Sequence, residues 1–148
     1  MGFGHVFLSL FSSLTKGPPI DFVLLQDPLS SKGFLPCFAG FKSFAPPLAR
    51  PRVACYVSVN LLRRFAVLPF FPPETDDFMV LDVFTPRVCF GSNFPRFRIG
   101  NAYARPLPAN PHSVSPETAL RDLEFPYLVA GDFNIHNAAT DPSRLLSA

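Results

Sequence analysis

The sequence predicts a mixed α/β (α+β) fold, built on a mostly antiparallel or mixed sheet with few peripheral helices. Three observations predict it. Short apolar runs rich in Val, Phe and Tyr recur between polar or Pro-bearing brackets, the mark of buried strands. Eighteen prolines in 148 residues leave no room for long helices or long uninterrupted strands. The runs also follow one another at hairpin-like intervals instead of alternating with long amphipathic helices.

Residues 1–19 read as a leader or a remnant N-terminal helix, with a short packed helix over 7–14 stopped before Gly17-Pro18-Pro19. There is no basic n-region or small-residue cleavage pattern, as a signal peptide would have. No run approaches the roughly 18 consecutive apolar residues of a membrane span, so no membrane partner is expected. Residues 20–148 read as one domain. Phe22-Val23-Leu24-Leu25, between Asp21 and Gln26-Asp27-Pro28, suits a buried strand that Pro28 ends. Residues 29–51, rich in Pro, Gly, Ser and Phe, read as a long loop.

Val53 to Val59 is β-rich, and a second short strand is predicted at Arg64 to Pro69. A turn at Pro72-Pro73-Glu74-Thr75 leads to a strand over Asp77 to Phe84, closed by Thr85-Pro86. A further strand is predicted over Phe97 to Tyr103. Ser115-Pro116-Glu117 opens a short helix reaching Leu123: Ser caps it, Pro fits the first turn and Glu faces the helix dipole. Phe125 to Ala130 is the last strand, and 137–148 is loop, with a helix start at Pro142-Ser143.

Apolar residues make up 48% of the chain and charged residues 16%, below the roughly 25% usual in soluble domains. The net charge of +2 does not by itself argue for nucleic acid, which is bound through a concentrated basic patch. Arg50, Arg52, Arg63 and Arg64 cluster loosely, as do Arg87, Arg96, Arg98 and Arg105. They read either as solvated strand ends or as a rim that meets a phosphate backbone. Cys37, Cys55 and Cys89 are odd in number and too far apart for a C-x-x-C motif. Cys55, within an apolar run, reads as a small buried hydrophobe. The compartment reads as reducing and intracellular.

The chemistry concentrates at Gly131-Asp132-Phe133-Asn134. Side chains alternate along a strand, so Asp132 and Asn134 share a face while Phe133 turns away. A carboxylate there can take a proton from water or hold a metal, and a carboxamide can donate to a phosphate oxygen. Gly131 lets a backbone or ligand approach closely. A plain Gly-Asp turn is the structural alternative.

The string Tyr127-Leu128-Val129-Ala130-Gly131-Asp132-Phe133-Asn134-Ile135-His136-Asn137 resembles the endonuclease/exonuclease/phosphatase (deoxyribonuclease I-like) superfamily. It is closest in look to the endonuclease domains of fungal non-LTR retrotransposons. Three further segments fall in the same order: Phe22 to Pro28, Arg52 to Val57, and Arg98-Ile99-Gly100-Asn101-Ala102-Tyr103. The resemblance implies a partial four-layer α/β sandwich and Mg²⁺-dependent (or Mn²⁺-dependent) phosphodiester hydrolysis on DNA, with a nuclear location within reach.

Asp27 takes the place of the family's metal-ligating carboxylate, usually Glu; a strand-end turn initiator is the alternative. Tyr103 matches the tyrosine near the scissile phosphate, or else fills space beside a strand end. Asp132 matches the residue that orients the attacking water, and Asn134 the one that contacts the phosphate. Asn101 reads as structural, and His136 as a loop residue at the site's edge.

The family's first-strand Asn and its Ser-Asp-His motif do not occur in the 148 residues. The expectation is therefore a domain truncated at both ends, with impaired activity. Its largely single sheet would need the second half of the domain or another chain to cover it. The competing expectation is a non-catalytic relic that binds nucleic acid or protein, or has no function. A sugar-phosphate or inositol-phosphate substrate is the runner-up within the family.

Overall fold

The computed structural model describes residues 17–30, 32–72, 77–85, 96–103 and 126–132. The predicted N-terminal helix, the helix over 115–123, the C-terminal tail, Asn134 and His136 lie outside the described residues. The strands are β1 (Phe22–Gln26), β2 (Phe41–Phe44), β3 (Val53–Ser58), β4 (Ala66–Phe70), β5 (Phe78–Phe84), β6 (Arg96–Tyr103) and β7 (Tyr127–Asp132). A one-turn helix, α1 (Val59–Leu62), follows β3. The sheet-rich mixed class is as expected.

One sheet has the order β1-β3-β2, with both pairs antiparallel; the other has the order β4-β5-β6-β7. In the second sheet only the last pair, β6 with β7, is parallel. A parallel pair needs a long connection, and Tyr103 and Tyr127 are far enough apart in sequence to allow one. Pro69 sits in β4 at the edge of its sheet, where its missing N–H breaks no interior ladder.

The expectation of one sheet awaiting a cover from elsewhere is corrected. The two sheets lie face to face within this chain. Val53, Cys55 and Val57 of β3 meet Met79 and Leu81 of β5 and Ile99 of β6 in one buried cluster. The strands divide between sheets because the chain turns out of the first sheet at Ser58. Ser58 N–H donates to the Asp21 carbonyl at 2.9 Å, and its hydroxyl donates to the Asp21 carboxylate at 2.9 Å. The same hydroxyl caps α1 by accepting from the Leu61 N–H at 3.0 Å. After that turn β4 begins the second sheet.

β2 is a second correction, since it falls inside the predicted loop. Gly40, with φ 82°, makes the tight entry that an L side chain resists, and Phe41–Phe44 then pair with β3. The rest of that segment covers the outer face of the first sheet. Phe38 and Leu35 pack on Leu25, Ala54 and Tyr56. The Tyr56 hydroxyl donates to the Pro36 carbonyl at 2.8 Å, and its ring meets Phe38 edge-on at 4.8 Å. Among the described residues no helix is long and apolar enough to cross a membrane.

Candidate functional site

β1 ends, β3 begins, and β6 and β7 end on the same side of the packed sheets. Alternation decides which residues look inward there. Ile99, Asn101 and Tyr103 share one face of β6, and Ile99 lies in the intersheet core. The parallel register sets Tyr103 beside Asp132, so Asp132 projects to the same face.

The floor of the site is Asn101, fully buried. Its amide nitrogen donates to the carbonyls of Leu25 at 3.0 Å and Ala54 at 2.9 Å, and its oxygen accepts from Gln26 Nε2 at 2.6 Å. One side chain of β6 thus fastens both β1 and β3.

Above it stand Asp27 and Arg52. Antiparallel pairing of β1 and β3 runs to Gln26 opposite Val53, so the next residues outward, Asp27 and Arg52, also meet. The Asp27 N–H donates to the Arg52 carbonyl at 2.8 Å, and the Arg52 guanidinium pairs with the Asp27 carboxylate. Asp27 has φ 45°, a left-handed conformation that Asp tolerates better than most L residues. The Arg52 guanidinium lies over the Tyr103 ring, 5.8 Å from its centroid.

Tyr103 joins the two halves. Its N–H donates to the Asp77 carbonyl at 2.8 Å. Loss of solvent holds its hydroxyl above the ordinary phenol range. The Asp27 charge and a hydrogen bond to Asp27 push the same way, Arg52 opposes them, and Asp132 adds a smaller upward push. The phenol is therefore a neutral donor at neutral pH. Gly131 lets β7 lie close against β6 here: a Cβ at that position would overlap the Ala102 carbonyl.

The structure thus brings Asp27, Tyr103 and Asp132 together, gives Asn101 a structural place, and leaves Asn134 outside the described residues. Sequence reasoning missed Arg52 as a member of the site. Its signal was the pairing of the strand ends, which needs the β1–β3 register and not spacing alone. The donor set around Tyr103 is all oxygen: two carboxylates and a phenol. It suits a hard divalent cation, which takes one or two carboxylates and keeps several waters. Among the described residues no group of three or more His, Cys, Asp or Glu is placed to hold a metal. No family model, curated protein or solved structure matches this chain.

Proposed function

We propose that this chain carries part of a metal-dependent phosphodiester-cleaving site of the endonuclease/exonuclease/phosphatase type, acting on DNA and of retroelement origin. The supporting observation is the meeting of Asp27, Tyr103 and Asp132, distant in sequence, at one end of two facing sheets. Asp27 is the carboxylate that would hold Mg²⁺ or Mn²⁺. Bound there, the ion supplies polarisation of the phosphoryl oxygen and offsets charge on the leaving oxygen. Asp132 orients the attacking water and accepts its proton. The resemblance would give Asn134, two residues on in sequence, the contact to a non-bridging oxygen. The Tyr103 hydroxyl, kept protonated by its surroundings, donates to the phosphate without adding negative charge. Asp27 is one methylene shorter than the Glu usual in the family, and Mg²⁺, which keeps several waters, would tolerate the shorter side chain.

The test is nicking of supercoiled plasmid in Mg²⁺. Nicking that stops with chelator and falls about 100-fold in Asp132→Ala supports the reading, this being the usual loss for a general base. Equal inertness of both proteins contradicts it. A second reading, DNA binding without cleavage, is favoured by the guanidinium already seated on Asp27. It predicts binding that weakens with salt and ignores chelator.

A further inference from the structure

Arg52 brings a positive charge to the carboxylate that a cation would use. Three observations bear on what this does. The Arg52–Asp27 pair is half exposed, with side chains 42% and 49% accessible, and exposed pairs of this kind are weak enough to open readily. The guanidinium already rests over the Tyr103 ring, a face that attracts cations and offers it a second seat once it leaves the carboxylate. The Asp27 N–H, meanwhile, keeps its bond to the Arg52 carbonyl and Tyr103 its hydrogen bond to the Asp27 carboxylate, so residue 27 stays in place while the guanidinium swings.

We propose that Arg52 and a divalent cation compete for the Asp27 carboxylate, and that the displaced guanidinium turns to the incoming phosphodiester. The inference rests on the metal-dependent reading above and deepens it. Charge repulsion favours the exchange. A divalent cation on Asp27 stands within a few ångströms of the guanidinium, and their repulsion falls only as the inverse of distance. Leaving the carboxylate relieves that repulsion. The freed planar fork then matches the two non-bridging oxygens of a phosphodiester. Without cation the site is closed by its own arginine; with cation it presents a positive donor toward the substrate.

The experiment is calorimetric titration of the full chain with Mn²⁺ at low salt, with a thermal melt of each protein alongside. The proteins are wild type, Arg52→Gln, Arg52→Lys, Asp27→Asn and the Arg52→Gln/Asp27→Asn double variant. The expected result is Mn²⁺ binding about tenfold tighter in Arg52→Gln, a gain that shrinks as salt screens the charges. Asp27→Asn weakens binding, and the double variant shows no gain over it. If Arg52→Gln fails to melt cooperatively, Arg52→Lys carries the test. Lysine keeps the charge but loses the fork and the ring contact, and a gain of about two- to threefold is expected. Unchanged or weaker binding in the folded Arg52 variants, with Asp27→Asn still weakening it, overturns the competition and leaves the metal site standing. Mn²⁺ binding that is absent, or indifferent to Asp27→Asn, removes the metal site and the competition with it.

Discussion

Asn101 ties the two sheets together through its side chain. From a fully buried position it bonds Leu25, Gln26 and Ala54, and Cys55 as well. Truncation to Ala leaves buried partners unsatisfied, at about 1–3 kcal/mol for each such group. The prediction for Asn101→Ala is a loss of about 2–4 kcal/mol in urea unfolding, with the larger part of the cost on contacts between the sheets. A loss under about 0.5 kcal/mol, the usual size of a surface change, would show that the amide does not fasten them. A structural place for Asn101 was legible, because it falls in the Arg98–Tyr103 segment that carries the family resemblance. Its partners Leu25, Gln26 and Ala54 were not, since they lie 47 to 76 positions away. Arg52 was hidden for the same reason. Spacing places it before a strand, and only the register with β1 places it on Asp27.

β3 is the central strand of its sheet and is buried along its whole length. It carries two titratable groups on opposite faces. Burial pushes the Cys55 thiol from 9.0 up to about 12, against a smaller downward pull from its hydrogen bond to Asn101. Burial, with a smaller contribution from Cys37, pushes the Tyr56 hydroxyl from 10.0 up to about 12. Both shifts are upward, so above pH 9 the unfolded chain sheds protons that the folded chain keeps. Stability is therefore whole below about pH 9 and falls steadily toward pH 12. Thermal melts across this range are expected to show that fall, and Tyr56→Phe to remove the part that begins near pH 10. A flat profile would contradict the burial of both groups.

β7 makes a different demand. A methyl at Gly131 meets the Ala102 carbonyl, so Gly131→Ala is expected to cost about 3 kcal/mol, the upper range for overpacking. It would also part Asp132 from Tyr103, so nicking should fall together with the melting temperature. Strands β1, β3, β4, β5, β6 and β7 were legible as short β-rich runs between polar or Pro-bearing brackets. β2 was not, because Phe41–Phe44 carries Lys42 and Ser43 exposed among prolines and glycines that read as loop.

At the scale of the whole molecule, the sheet-rich class follows from the strand runs, but the division into two facing sheets does not. Which sheet a strand joins is decided by the turn at Ser58 and α1, a contact with Asp21 that no local pattern announces. That division is what brings the ends of β1 and β3 over the ends of β6 and β7, and with them the four side chains of the site. Terbium luminescence excited through tyrosine tests this convergence most directly. The chain has no Trp and three Tyr, and Tyr56 is buried on the far face of its sheet. Tyr127 opens β7 opposite Arg98, at the end away from Asp132, so a trivalent ion held at Asp27 would be lit by Tyr103. The predicted result is emission that rises with Tb³⁺ in the wild type and is lost in Tyr103→Phe and in Asp27→Asn, with both variants still folded. Emission unchanged by Tyr103→Phe would contradict the account, because the bound ion would then lie away from the place where the two sheets meet.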